Sequence, residues 1–176
     1  GEDSWPDLNL YDYAMGFALL DYDGRYLRLP LYAMRDTWAP ALAKHTLPDA
    51  EFLSRKKFCN FVVSNDFSTE RNEFFEALNA HRPVDSGGGY KNNIGGPVAD
   101  KLAFQKAYKF SIAYENRRGP GYCTEKIVDA FAAGTVPIYW GDPLVKQEFN
   151  PDAFLCADDY PDTDALIAAI DAVDRD

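Results

Sequence analysis

A glutamate and a lysine, Glu125 and Lys126, stand side by side where a glycine-punctuated turn, "YENRRGPGYCT", gives way to an amphipathic run. A lysine in the first turn of a helix opposes the macrodipole, which already places positive charge there. Arg71 shows the same anomaly. It follows the apolar run 58–64 and opens the stripe Arg71, Phe74, Phe75, Leu78, whose i, i+3, i+4, i+7 spacing turns it toward the sheet side. Two cations at strand-to-helix turns, added to open helix amides, suit an anion with several oxygens, and a diphosphate fits best. Either cation alone is better explained by pairing with a neighbouring carboxylate on a solvated face. Asn116 and Tyr122 flank the turn and would line the same cleft, the amide holding hydroxyls and the ring packing on a base or sugar. Tyr122 fits a core position as well as it fits the cleft.

Other chemistry is weaker in the sequence. "GPGY" is neither a dinucleotide fingerprint nor a P-loop. His45 and His81 have no serine or cysteine at the spacing of a hydrolase triad. Asp158 and Asp159 form no spaced metal motif and are expected in a solvated loop. Arg117 and Arg118 suit a solvated surface or a lid.

The elements that must hold these residues alternate. Residues 57–65 and 109–116 read as buried strands, 135–141 as a third and 153–157 as a fourth. Residues 68–81, 98–108 and 163–174 read as helices, the last with Leu166, Ile167, Ile170 and Val173 on one face. Thr124 can cap the helix whose stripe is Ile127, Ala130, Phe131 and Gly134, and Asp142-Pro143 starts a short helical piece. "DSGGGYKNNIGGP" is turn chemistry. The alternation predicts an α/β fold, a Rossmann-like parallel sheet with helices on both faces, which binds ligands beyond the carboxyl ends of its strands. Residues 1–50 look different: two strand-like runs around "DYDG", then a polar stretch, 35–51, read as a linker.

Composition narrows the partners. The chain has 176 residues, 47% hydrophobic, enough for a real core, and a formal net charge of -10. Nucleic acid and anionic membrane surfaces are disfavoured, so any anion must meet a few placed cations. Cys59, Cys123 and Cys156 are odd in number and far apart, which favours buried thiols over disulfides or zinc. The acidic start "GEDSWPDLN" has no signal-peptide character, and a cytoplasmic location is expected.

The stretch "YKFSIAYENRRGPGYCTEKIVDAFAAGTVPIYWGDPLVKQEFNPDAF" resembles the donor-binding signature of the α1,3/4-fucosyltransferases, with its FEN, GY.TEKI.DA and P.YWG.P followed by FNP. "FVVSNDFSTERNEFFEALN" is similar to the family's S-N-x(5)-R-N stretch, and residues 1–32 to the segment before the donor domain. The resemblance implies the donor half of a GT-B architecture at 51–176, ending before the family's C-terminal helices, with the end of an acceptor-binding domain and a linker at 1–50. It implies an inverting transfer of L-fucose from GDP-fucose to a hydroxyl of N-acetylglucosamine or glucose in a lactosamine-type glycan. GDP-fucose and an oligosaccharide acceptor are then the partners, with no cofactor and no metal. By position Arg71 and Lys126 match the diphosphate contacts, Glu125 the nucleotide-sugar contact, and Asn116 and Tyr122 other donor-pocket positions. Glu2 in "GED" matches the catalytic base; Glu115 and Asp142 are its rivals. Any peripheral contact with an inner membrane would come from segments outside these residues. A nucleotide-sugar binding module without turnover, and an inverting transferase for another nucleotide sugar, are the alternatives.

Overall fold

Strand β1 (Ala14–Gly16) and strand β2 (Tyr26–Arg28) pair in parallel, Ala14 opposite Tyr26, in a computed structural model that describes residues 10–42, 54 and 57–175. The turn at "DYDG" uses the left-handed region at Asp23 (φ 49) and Gly24 (φ 76), where aspartate and glycine are tolerated best. Beyond β2 the chain is tied down. Tyr32 is buried, its N–H donates to the Cys123 carbonyl at 3.1 Å, and Tyr32 and Arg28 both donate to the Glu148 carboxylate.

Part of the stretch read as a linker is helix: α1 (Trp38–Leu42) packs Trp38 edge-on against Tyr32, with ring centroids 5.3 Å apart. Pro40 does not prevent this, because it falls in the first turn, where no intrahelical N–H is needed. The apolar side chains of Trp38 and Ala41, three apart, supply the buried face.

The remaining strands, β3 (Lys57–Phe61), β4 (Val84–Ser86), β5 (Tyr108–Tyr114), β6 (Val136–Trp140) and β7 (Leu155–Cys156), form one parallel sheet in the order β4-β3-β5-β6-β7. In β5 every residue but Lys109 is buried, as a central strand covered on both faces requires. Helices α2 (Thr69–His81) and α5 (Thr163–Arg175) cover one face through Phe74, Phe75, Leu78, Leu166, Ile167 and Ile170. The short α3 (Lys101–Gln105), capped by Asp100, and α4 (Glu125–Ala132) lie with the other face, where Ile127 and Val128 pack on Tyr139 and Phe154. The expected α/β layering is therefore present. Val173 is 41% exposed and leaves the stripe, and the expected helix after Pro143 is a single 3-10 turn, Val145–Gln147.

Strand β4 was hidden in the glycine-rich segment. It is three residues long, and its side chains are followed at once by glycines that let the loop lie on the segment just after β3: a Cβ on Gly88 would sit 1.9 Å from the Val63 carbonyl oxygen. With β4 in place, β3 connects toward one edge and β5 toward the other. That reversal between β3 and β5 opens a crevice at their carboxyl ends, the usual ligand position in open α/β sheets.

Asp174 near the end of α5 accepts from Lys109 Nζ and Arg82 Nη1, both at 2.6 Å, and so ties α5 to β5 and to the end of α2. Partial burial works to raise its carboxyl pKa, but these two hydrogen bonds and charges outweigh it and hold the group below the usual carboxylate range. A depressed folded value means stability that is present at neutral pH and lost as pH falls through that value. Asp174→Asn should lower stability by about 1 kcal/mol at pH 7. In urea unfolding curves the difference from wild type should close below about pH 3.

Candidate active site

Arg71 sits at the crevice but shows no surface. Its helix starts at Ser68, whose hydroxyl accepts the Arg71 N–H at 3.3 Å, and the buried stripe carries the side chain inward. Arg71 Nη2 donates to the backbone oxygen of Asn65 at 2.7 Å and to its side-chain oxygen at 3.0 Å, while Nη1 donates to Asn116 Oδ1. One guanidinium thus binds the loop after β3 to the loop after β5. Its Nε is buried with no partner among the described residues. Desolvation pulls the guanidinium below its ordinary pKa, and the nearby Glu115 carboxylate counters that.

Glu115, one residue beyond β5, is the centre of a second cluster and is fully buried. Its carboxylate accepts from the Thr124 N–H at 2.7 Å, the Thr124 hydroxyl at 2.7 Å and Lys126 Nζ at 2.8 Å. Gly141 makes room for it: at φ +150 a Cβ there would lie 2.5 Å from Glu115 Cγ. Thr124 occupies the N-cap position of α4 without capping through its side chain, contrary to expectation, because its hydroxyl donates to Glu115 and accepts from Lys126 Nζ at 2.8 Å. Lys126 is therefore paired, but with a buried carboxylate rather than on a solvated face. Its side chain keeps 13% exposure, and one of its three N–H groups has no partner among the described residues.

Glu125 turns away from this cluster. It is half-buried and lines a cavity of about 630 Å³ with Arg35, Asp36, Thr37, Lys101 and Asp129. Burial pushes its carboxyl up, but Lys126, its own backbone N–H, Lys101 and Arg35 hold it below the ordinary glutamate value. At neutral pH it is an ionised hydrogen-bond acceptor. Tyr122 is half-buried and belongs to neither core cluster; Phe17 meets its ring edge-on at 5.7 Å and the Arg117 guanidinium lies 4.5 Å over it. Asn116 reaches Arg71, so the structure brings Arg71 and Asn116 together and sets Lys126 on Glu115, the residue before Asn116 in the chain, while Glu125 faces the separate cavity.

The rival bases are accounted for differently. Glu115 is fully buried and accepts three hydrogen bonds. Asp142 is 1% exposed, with one carboxylate oxygen accepting from the Leu144 N–H at 2.9 Å, so it shapes the turn after β6. Glu2 and His45 lie outside the described residues. Asp158 pairs with Arg118 at 2.5 Å and Asp159 with Lys146, so these aspartates carry ion pairs instead of being merely solvated. His81 pairs with Asp171. The three cysteines are free and buried. Among the described residues no group of three or more acidic, histidine or cysteine side chains could hold a metal ion. The sequence reading missed Glu115 as the hub and Asn65 as the second end of the Arg71 clamp. The only local signal was a carboxylate at the end of an apolar strand, nine residues before a threonine.

A parallel sheet with a cation-bearing helix start beside its switch point defines an α/β domain of the kind in which ligands lie beyond the carboxyl ends of the strands. Residues 52–176 match the family model for the C-terminal part of glycosyltransferase family 10 (fucosyltransferase), and residues 1–35 match the alpha-(1,3)-fucosyltransferase FucT N-terminal domain. The chain belongs to glycosyltransferase family 10, the fucosyltransferases. It is 38% identical to the alpha-(1,3)-fucosyltransferase FucT of Helicobacter pylori in an alignment covering 95% of this chain and 41% of that protein. Against alpha-(1,3)-fucosyltransferase 4 of Bos taurus it is 37% identical, over 70% of this chain and 32% of the other. A crystal structure of an alpha1,3-fucosyltransferase with GDP-fucose superposes at a TM-score of 0.84, with 36% identity, 99% of this chain and 61% of that one covered. The same comparison with a GDP complex gives 0.83. The chain therefore spans less than half the length of the H. pylori relative.

Removing the Glu115 carboxylate would strand the Thr124 N–H and hydroxyl in the interior and release Lys126. Glu115→Ala should cost about 3 kcal/mol in equilibrium urea unfolding. Glu115→Gln, which keeps one acceptor oxygen, should cost less.

Proposed function

We propose that this chain forms the donor-binding half of an inverting fucosyltransferase that carries L-fucose from GDP-fucose to an N-acetylglucosamine or glucose hydroxyl of a lactosamine-type glycan. The observation that carries the reading is Lys126, fixed by a buried carboxylate at the start of α4 with one N–H left for a ligand. Solved relatives with GDP-fucose and GDP bound support the choice of nucleotide. In this reading residues 51–176 are the donor domain and residues 1–50 the end of the acceptor domain with its linker. The chain works in the cytoplasm.

The diphosphate sits on the amides of α4 and on Lys126. Arg71 supplies charge from beneath and keeps Asn116 and Asn65 in place. Glu125 accepts hydrogen bonds from ribose or sugar hydroxyls, and Tyr122 packs on the donor. As the acceptor oxygen bonds to the anomeric carbon, the carbon–oxygen bond to the β-phosphate breaks and its electron pair leaves with GDP. The acceptor proton passes to a carboxylate base, for which Glu2 is the proposed group. Lys126 and the helix amides hold the charge that develops on the leaving diphosphate, so the displacement runs without a metal ion.

Because the chain spans 41% of FucT, a second reading is a module that binds the nucleotide sugar without turning it over. Calorimetric titration with GDP beside a transfer assay on N-acetyllactosamine separates the two: binding with transfer marks the enzyme, and binding alone marks the module. A panel of competing nucleotide diphosphates tests the choice of GDP. Lys126→Ala should weaken GDP binding by about 1 to 3 kcal/mol, the range for a charge-assisted contact. Arg71→Ala should do the same, with Arg71→Lys recovering part of the loss; unchanged affinity in both alanine variants would refute the phosphate assignment. Transfer by a full-length enzyme should persist in excess chelator, and complete loss would contradict a metal-free displacement.

A further inference from the structure

A second cavity, of about 380 Å³, opens at the carboxyl ends of β5 and β6 on the face covered by α2 and α5. It shares α2 with the diphosphate site: Glu70, Glu73 and Phe74 line it, and Arg71 lies between them in the chain. Its floor is aromatic. Phe74 stacks on Tyr114 at 4.5 Å between ring centroids, with planes 7° apart, and Tyr114 stacks on Trp140 at 5.9 Å.

Several polar groups face the cavity. Tyr114 is 4% exposed, yet its hydroxyl has no hydrogen-bond partner among the described residues, and the residue lines the cavity. A hydroxyl at a cavity wall with no protein partner can both donate to and accept from a ligand there. The Trp140 indole N–H, the Tyr160 hydroxyl and the carboxylates of Glu70 and Glu73 also lack partners among the described residues. Asp158 is held by Arg118, and Asp162 accepts the Ala165 N–H at 2.8 Å, so those two are already engaged. No lysine or arginine lines the cavity, which makes it hostile to a nucleotide. The partly exposed Trp140 and Tyr160 rings, donors from Tyr and Trp, and carboxylates that accept from hydroxyls together match an uncharged sugar ring.

We propose that this cavity is a subsite for a neutral sugar of the acceptor glycan, contributed by the donor half. It rests on the reading of the protein as a glycan-modifying transferase, and it adds a contact that the donor site does not need. The competing occupant is a cationic segment, because unpaired Glu70 and Glu73 would attract one.

The test uses the whole chain and two ligands. N-acetyllactosamine is titrated without nucleotide, following Trp140 indole and Tyr160 signals by NMR, and GDP is titrated separately by calorimetry. The expected result is saccharide-dependent shifts of those two residues, little affected by salt. Tyr114→Phe and Glu73→Gln, which remove unpartnered groups, should each weaken the saccharide about three- to ten-fold, as loss of one hydrogen bond does, with GDP affinity unchanged. Saccharide that shifts neither residue, or that binds equally to both variants, overturns the subsite while GDP binding leaves the donor reading intact. Loss of GDP binding as well would sink the donor reading itself. Salt-sensitive binding of an oligolysine peptide that displaces the saccharide signals would also overturn the sugar assignment, in favour of a cationic occupant.

Discussion

An ionised carboxylate removed from water must have its lone pairs answered, or the fold loses several kcal/mol. Glu115 is fully buried at the end of the central strand, and the donors that answer it come from the start of α4. That requirement explains features that look unrelated in sequence. Thr124 serves the carboxylate with both its N–H and its hydroxyl, so it cannot cap α4 through its side chain. Gly141 stays a glycine because any Cβ would collide with the Glu115 side chain. Lys126, disfavoured by the helix dipole, gains a buried counter-charge and a fixed position.

A second constraint acts at the sheet's reversal point. The loops after β3 and β5 diverge there, and nothing in the strand pairing fixes their separation. The planar fork of Arg71 does so, binding Asn65 on one side and Asn116 on the other. A lysine could not span both. The protein carries a net charge of -10, yet its crevice is organised around two cations, Arg71 and Lys126.

Local periodicity revealed what is local. The stripe that begins with Arg71 and the apolar runs of β5 and β6 identify themselves by spacing and length, and the parallel sheet follows from their alternation. The family resemblance added the chemistry of the ligand. What stayed hidden depends on partners distant in sequence. Strand β4 is three residues long among glycines whose own preference is for turns, and it exists only because β3 offers a ladder. Helix α1 was read as linker because the polar residues around it mask Trp38 and Ala41, whose burial needs Tyr32 and α4. Thr124 has the side chain of a good cap, and only the approach of Glu115 diverts it. Arg71 was expected to face a ligand; its complete burial comes from two loops that no spacing rule connects.

The central claim is that Glu115 and Lys126 act as one unit in holding the diphosphate. A double-mutant cycle on GDP affinity with Glu115→Gln, Lys126→Met and the pair measures that coupling directly. If the carboxylate acts through the lysine, the double variant binds GDP about as weakly as Lys126→Met alone. Losses that add in full in the double variant would mean that the two residues act independently, and would contradict the account.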